Sequence, residues 1–322
     1  MPVVIKTNLE SMLVQHNLNA ATNSLNSAIE RMTTGYKINR SSDDAANYSI
    51  SNSWITKIGS LDVASANALM GKDMLSTTEQ NYNLLTTHLN RIRDLTEQAA
   101  NGAYGSSSLK AIQAEVKSRL EEISRIANNA EYNDIKLMSA GSIISNGVDL
   151  QVGLEASPDS VINLSSSLFQ DATVSGLFAS NSALMTIVAA ANGGSAPAKL
   201  NSEEGYMALA AAFSGLKKSG NTFIIQDQTG YKPKDTLASI DAVLKDITSR
   251  MTTLGASQNR IDSAFSALEV QTTNLTSSLS TIRDTDVAKE SSNYIQAQIL
   301  QQASATLLAT ANQAPSIALN LI

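Results

Sequence analysis

Apolar residues recur at alternating spacings of three and four residues over long stretches at both ends of the chain. This pattern predicts helices that pack against other helices along a seam. Two runs of this kind, over residues 61–99 and 109–127, flank the turn at 101–108 and together predict a helical hairpin. The N-terminal seam reaches Gly35 without a slip and consists of Val14, Leu18, Ala21, Leu25, Ala28 and Met32.

The C-terminal part of the chain carries the longest run of this spacing, from Leu237 to Ile282. One partner helix cannot cover the apolar surface that follows, so the free chain either leaves its ends disordered or buries them against copies of itself. We expect self-assembly. We expect the two terminal seams to be the polymerisation seam. The seam after the weaker stretch RDTD consists of Ala297, Leu300, Ser304, Leu307, Ala311, Ala314, Ala318 and Leu321, with Ile295, Ile299 and Leu308 beside it.

The composition changes between these runs. Alternating apolar residues in VDLQVGL (148–154), followed by the turn EASPDS and by VINLS, predict a β-hairpin. Residues 165–234 are rich in Ser, Ala and Gly, with a linker-like GGSAPA and a possible strand at 222–226, and predict a small exposed insertion. We therefore expect a mainly α fold of long antiparallel coiled-coil or helical-bundle rods from both termini, with the β-hairpin and a small variable α/β insertion in the middle.

Composition argues against several classes of function. The chain has no Cys, which rules out disulfides, thiolate catalysis and Cys-based zinc sites. A formal net charge of −6 and scattered basic residues argue against nucleic-acid binding. No apolar stretch is long enough to span a bilayer, and the apolar patch before Lys6 is too short for a cleavable signal peptide. We expect no membrane insertion, and any export would use a route without a cleavable signal peptide.

Candidate catalytic and metal-binding residues are few. His16 and His88 are the only histidines, and they lie far apart in the sequence within predicted helices. No HExxH or Walker motif occurs, and no GxGxxG follows a strand. We therefore expect a protein that is not an enzyme and that binds no cofactor or metal.

One stretch, GYKINRSSDDAANYSISNSW at residues 35–54, interrupts the helical pattern. Its charged side chains are Lys37, Arg40, Asp43 and Asp44. Paired aspartates near basic residues are able to share a proton or bind a cation, which would suit an active site. The same residues suit the start of a helix, with Ser41 or Ser42 as the cap and both aspartates in the first turn, where the helix dipole favours negative charge. We favour the helix start.

Several motifs resemble those of bacterial flagellin. MTTGYKINRSSDDAA is similar to the family's segment L-S-S-G-x-R-I-N-x-A-x-D-D-A-A, and RIRDLTEQAANG resembles its R-V-R-E-L-x-x-Q-x-A-N-G turn. Near the other end, LGASQNRIDSA and QAQILQQASATLLATANQAP resemble the C-terminal signatures of the family. The likeness covers roughly residues 1–165 and 235–322 and leaves the middle unmatched.

The resemblance implies an extracellular structural subunit that self-polymerises into the flagellar filament for swimming motility, after export through the flagellar type III apparatus. It also implies a division of the chain into an inner core, a connector, an outer core and a surface insertion. The implied segments are 1–34, the N-terminal inner-core helix; 35–56, the connector or spoke; 57–165, the outer-core domain with the hairpin; 166–235, the short variable surface insertion; 236–283, the C-terminal outer-core helix; and 284–322, the C-terminal inner-core helix.

The resemblance further implies particular partners and residues. Copies of the chain are the main partner, with the filament cap and the hook-associated junction proteins at the ends of the filament. An export chaperone would shield residues 296–322. Arg91, Leu95 and Glu115 match the positions by which vertebrate Toll-like receptor 5 recognises similar flagellins, on a surface that also packs between protofilaments. The connector residues are Gly35, Lys37, Arg40, Asp43 and Asp44.

Other readings stay open. A hook-filament junction protein shares the terminal heptads, and another type III secreted coiled-coil protein would pair its terminal helices with a foreign partner. An enzyme would need catalytic residues in the segment 165–235, where none is recognisable.

Overall fold

The computed structural model describes residues 8–139, 147–155, 157–179, 181–194, 197, 199–219, 222–225 and 232–319. The described elements confirm the mainly α fold. In chain order they are α1 (Leu9–Thr34), α2 (Ala45–Ala99), α3 (Ser106–Asn129), β1 (Glu131–Tyr132), β2 (Ile135–Lys136), β3 (Val148–Gln151), a 3-10 turn (Pro158–Ser160), β4 (Val161–Leu164), a second 3-10 turn (Ser166–Phe169), α4 (Val174–Phe178), α5 (Ser182–Ala191), α6 (Glu203–Ser214), β5 (Leu216–Ser219), β6 (Thr222–Ile225), α7 (Lys234–Arg283) and α8 (Val287–Leu319).

The chain divides into two compact units. The terminal unit comprises residues 1–62 and 270–322, and the central unit comprises residues 63–269. Helices α2 and α7 contribute residues to both units.

In the terminal unit, α1 packs against α8 in the antiparallel direction. Helix α1 begins where the Asn8 side chain accepts a hydrogen bond from the backbone amide of Ser11, and it ends at Gly35. Gly35 has φ +76°, a left-handed conformation that other residues adopt only with strain because of their Cβ. The break predicted at Gly35 is therefore confirmed.

In the central unit, α2 and α7 lie antiparallel with ion pairs between them. Lys72 Nζ lies 2.7 Å from Asp262 Oδ1, and Arg93 Nε lies 2.7 Å from Asp241 Oδ1. Helix α3 runs back along α2, which confirms the predicted helical hairpin. The core contains the seam residues of all three helices, among them Leu75, Tyr82, Leu85, Leu89, Ile92, Val116, Leu120, Ile123, Ile240 and Ile247.

The predicted β-hairpin is confirmed. Strands β3 and β4 pair antiparallel, from Val148 opposite Leu164 to Gln151 opposite Val161. The hairpin packs closely on α2, because a Cβ at Gly71 would lie 2.2 Å from Leu150 Cδ1. A second, shorter hairpin, β1–β2, was not predicted. Its turn residues Asn133 and Asp134 have φ of 49° and 64°, and an Asn-Asp pair between two β-forming residues was the available signal.

The structure differs from the prediction for the segment after β4. We predicted that residues 166–235 form an exposed insertion, but α4, α5 and α6 bury their apolar faces in the core of the central unit. Phe178 and Phe213 pack with their ring centroids 5.8 Å apart, and both side chains are fully buried. The alanine-rich face of α6 packs on α3. The Ala and Ser content that suggested a linker instead permits close helix packing.

Polar contacts also fasten this segment to α3. Ser124 Oγ of α3 accepts a hydrogen bond from the backbone amide of Val174 (3.2 Å), and Asn201 Oδ1 accepts one from the amide of Ser175 (2.8 Å). Together with the cap Thr173, whose Oγ1 accepts from the amide of Gly176, these side chains satisfy the free amides in the first turn of α4. The predicted strand at 222–226 is present as β6 up to Ile225, while Gln226 and half of GGSAPA (Ser195, Ala196 and Ala198) lie outside the described residues.

Phe213→Ala should test whether this segment belongs to the core. The substitution removes a fully buried ring, so the free energy of unfolding of the central unit should fall by about 3–5 kcal/mol. Chemical denaturation gives the value, and hydrogen exchange in α3 shows whether the loss reaches the neighbouring helix. Leu84→Ala, at an exposed position of α2, is the matched control. An unchanged α3 in Phe213→Ala would show that the segment is an independent insertion.

Candidate functional site

The contact between α1 and α8 follows a three- and four-residue spacing on both helices. On α1, Ala21 and Ala28 are buried, and Val14, Leu18 and Leu25 are half-buried. Met32 is more exposed, near the end of the helix. Among the α8 side chains that the structure describes, the buried and half-buried ones are Glu290, Ser291, Tyr294, Ala297, Gln301, Ser304, Leu308 and Ala311, and the predicted seam positions Ala314, Ala318 and Leu321 lie outside the described side chains.

Two predicted seam residues of α8 lie elsewhere. Leu300 and Leu307 are 50% and 57% exposed, whereas Gln301 and Leu308 occupy the seam. The sequence predicted Leu300 and Leu307 for a polymerisation seam, and this role stays a prediction. Within one chain, the contact between α1 and α8 consists mainly of small and polar residues, with Leu18, Leu25 and Leu308 half-buried among them. Leu300 and Leu307 flank the seam and line a groove of about 940 Å³ between the two helices.

Hydrogen bonds and one ion pair fix the register of the pair. Asn8 Nδ2 donates to the carbonyl of Ala311 (2.8 Å), and Gln301 Nε2 donates to Thr22 Oγ1 (3.2 Å). Near the other end, Arg31 lies 3.8 Å from Glu290, whose side chain is largely buried. A shift by one heptad would break these bonds together, so the polar contacts select one alignment of a seam with few large side chains.

The outer side of α8 is apolar and without charge. No Asp, Glu, Lys, Arg or His occurs between Ser291 and Ile322. Ile295 and Ile299 point away from α1, and Ile299 is 60% exposed. We use the name outer α8 surface for Ile295, Ile299, Leu300 and Leu307. A helix that is apolar on several faces requires more than one partner helix, and α1 covers only one face. This surface is therefore suited to contact other protein.

The connector does not form a catalytic cluster. Asp43 Oδ2 accepts hydrogen bonds from the backbone amides of Asn39 and Arg40, both at 3.0 Å. These bonds lower the pKa of the Asp43 carboxyl below its ordinary value. Arg40 pairs with Glu30 at 3.0 Å on the exposed side of α1. The charged groups thus hold the local backbone and do not converge on a cleft.

The cap of α2 lies two or three residues later in the chain than predicted. Helix α2 begins at Ala45, and its cap is Asp44, whereas Ser41 and Ser42 lie in the preceding turn. Asp44 Oδ1 accepts a hydrogen bond from the backbone amide of Asn47 (3.0 Å), and Oδ2 accepts one from the Asn47 side chain (2.7 Å). These bonds lower the pKa of the Asp44 carboxyl.

Lys37 contributes through its backbone. Its amide donates a hydrogen bond of 2.6 Å to the carbonyl of Arg283, at the end of α7. On that side, Asp286 caps α8 by accepting from the amides of Ala288 and Lys289. The chain leaves the helical conformation at residues 35–44 and 284–286, and in both places the following helix is capped by an aspartate. Within the described residues, no group of three His, Asp or Glu side chains is placed to hold a metal ion.

The predicted recognition residues are only partly at the surface. Arg91 Nε donates to Glu115 Oε1 at 2.9 Å across α2 and α3, and this bond lowers the pKa of the Glu115 carboxyl. Arg119 also reaches Glu115 (3.2 Å), and its NH1 lies 3.4 Å from His88 Nδ1. Leu95 is only 2% exposed and belongs to the core. Of the three, Arg91 and Glu115 are available to a partner and Leu95 is not.

The sequence was compared with known proteins. Residues 5–142 match the family described as bacterial flagellin N-terminal helical region, and residues 237–322 match bacterial flagellin C-terminal helical region. Flagellin B and flagellin C of Vibrio cholerae serotype O1 are 31% and 32% identical to the chain over 379 and 376 aligned positions. Flagellin B of Vibrio anguillarum is 31% identical over 378 positions. Each of these alignments covers 100% of both chains.

Asp44→Ala should open the first turn of α2. The variant removes the acceptor of the Asn47 amide, so this amide should exchange faster with solvent, while Asp44→Asn keeps an acceptor oxygen and most of the protection. In the wild type, the pKa of the Asp44 carboxyl is lower in the folded chain than in the unfolded chain. The stabilisation by the cap is therefore complete above the ordinary Asp pKa of 3.8, and it is lost as pH falls through the lower pKa of the folded state.

Hydrogen exchange followed by mass spectrometry or NMR measures this change. Asp43→Ala is the control, because it should release the amides of Asn39 and Arg40 and leave that of Asn47 protected. Equal exchange at Asn47 in wild type and Asp44→Ala would contradict the assignment of the cap.

Proposed function

This chain belongs to the bacterial flagellin family, and we propose that it is the structural subunit that polymerises with its own copies into the flagellar filament outside the cell. The observation that carries the proposal is the outer α8 surface. It is uncharged and apolar, and α1 leaves it uncovered. Copies of the same helix pair are suitable partners, because they present the same uncharged apolar surface.

The proposal assigns a role to each part of the chain. Residues 1–34 and 284–322 form the inner core, 35–56 the connector, and 57–165 with 236–283 the outer core. The segment 166–235 forms part of the outer surface while its helices pack into the outer core. Among the described residues, no helix is both long and apolar enough to cross a bilayer.

Further partners follow from the same assignment. The filament cap and the hook-associated junction proteins would contact the two ends of the polymer. An export chaperone would cover residues 296–322 before export, since this segment holds exposed apolar side chains and no charge to keep it in solution.

Seeded growth separates the filament subunit from its alternatives. Purified monomer is added to short filament fragments and observed by electron microscopy. Long helical filaments would support the proposal. A hook-filament junction protein would add at the end of a fragment and stop, and a secreted coiled-coil protein of another kind would stay monomeric. Either of these results would refute the proposal.

Ile299→Asp should block assembly. The side chain is exposed in the single chain, so the variant monomer should keep the helical content of the wild type. In a filament the carboxylate would be buried without a partner, and the critical concentration for growth should rise at least about tenfold. Sedimentation of polymer from monomer gives this concentration. Ser107→Asp, at the exposed start of α3, adds the same charge as a control. Normal growth of Ile299→Asp would contradict the assigned role of the outer α8 surface.

We also propose that the face around Arg91 and Glu115 serves in contacts between protofilaments and in recognition by Toll-like receptor 5. Support comes from the exposed ion pair that joins α2 and α3 at this point. Leu95 lies beneath this face and would act by supporting it.

Arg91→Ala should lower signalling by the monomer through Toll-like receptor 5. Loss of the guanidinium also removes the partner of Glu115, so the half-maximal concentration in a reporter-cell assay should rise several-fold. Arg125→Ala is the control, because it removes an arginine that is also exposed but whose partner Glu122 is on the same helix. Identical dose responses for the wild type and Arg91→Ala would remove this part of the proposal.

A further inference from the structure

The two chain breaks of the terminal unit bond to each other. The first break is residues 35–44 and the second is residues 284–286, between α7 and α8. The amide of Lys37 donates to the carbonyl of Arg283 at 2.6 Å, and the amide of Thr285 donates to the carbonyl of Gly35 at 2.9 Å. Tyr36 stands opposite Asp284 between these two bonds, as in an antiparallel β-bridge. Each break thus satisfies backbone groups that the other leaves without a helical partner.

A cation–π contact covers this bridge. The guanidinium carbon of Arg283 lies 4.2 Å from the centroid of the Tyr36 ring. Arg283 Nε is buried and has no hydrogen-bond partner among the described residues. An N–H group in this state is unfavourable unless another interaction compensates for the lost water, and the face of an aromatic ring offers one. The ring of Tyr36 therefore holds Arg283 in place, where an ion pair would ordinarily be expected.

The surroundings of the contact keep it aligned. Arg31 and Glu290 join α1 to α8 just beyond the two breaks. Gly35 permits the sharp turn that brings Tyr36 to Arg283, because its left-handed backbone carries no Cβ. Among the ion pairs of the described residues, the side chain of Arg40, by contrast, pairs with Glu30 of α1 and not with the second break. Contacts that cross from one break to the other are thus centred on Tyr36 and Arg283.

We propose that Tyr36 and Arg283 form a clasp that makes the two breaks open and close as one joint. With the clasp closed, a bend at residues 35–44 requires a bend at residues 284–286, so α1 and α8 change direction together. Without the clasp, each break would be an independent hinge. The inference rests on the geometry of the terminal unit and does not depend on the proposed function.

The experiment is hydrogen exchange of the full-length chain, measured on the monomer and on whatever polymer it forms. The reporters are the amides of Lys37 and Thr285, one on each break. In Tyr36→Ala and in Arg283→Ala both amides should exchange faster, by a similar factor of roughly two to five. The double variant should exchange no faster than either single variant, because both substitutions break the same contact.

Two further variants separate the clasp from general loosening. Tyr36→Phe keeps the ring face and should keep the protection of both amides. Arg40→Ala removes a charge from the same segment but no contact between the breaks, and it too should leave both amides protected. The proposal is overturned if only one amide responds, if the single effects multiply in the double variant, if Tyr36→Phe behaves like Tyr36→Ala, or if neither amide is protected in the wild type.

Discussion

The packing of α1 on α8 is the interaction on which the terminal unit depends, and its seam contains few large side chains. Alanine and serine at positions such as Ala21, Ala28, Ala297 and Ser304 let the two helices approach closely, but they bury little apolar area. Polar contacts then select the register. Ile295, Ile299, Leu300 and Leu307 of α8 remain outside the seam, where they are free to contact further helices. Small side chains in the seam thus make the contact within one chain weak, and they leave the large apolar side chains outside it available for association.

The central unit is built differently. Its helices bury large side chains, including Tyr82, Phe178 and Phe213, and its surface carries most of the ion pairs. Tyr82 also donates a hydrogen bond to the carbonyl of Leu168 (2.9 Å), which ties the segment after β4 to α2. This unit completes its core within one chain, whereas the terminal unit leaves apolar surface uncovered. The paired breaks lie within the terminal unit, where α1 ends and α8 begins.

Heptad spacing predicted most of the fold because helix seams are encoded locally, and alternation predicted β3 and β4 for the same reason. The failures concern contacts between distant segments. Composition alone did not show that α6 packs on α3, since alanine suits both linkers and close helix contacts. The heptad pattern did not separate Leu300 and Leu307, which lie outside the contact with α1, from Leu308, which lies within it, because a sequence does not say whether an apolar side chain faces its own chain or another. The burial of Leu95 and the cap at Asp44 were not predicted, because they depend on packing depth and on backbone geometry.

The polar contacts of the terminal unit join residues that are almost a full chain length apart. Asn8 bonds to Ala311, a separation of 303 positions. Such a contact cannot form on an unfinished polypeptide, so a chain that is still being synthesised, or is only partly through an export channel, has no assembled terminal pair. The terminal pair therefore forms only after the whole chain is complete. Truncated products lack α8, and with it both the partner of α1 and the outer α8 surface. Only full-length molecules would then compete for a place in an oligomer.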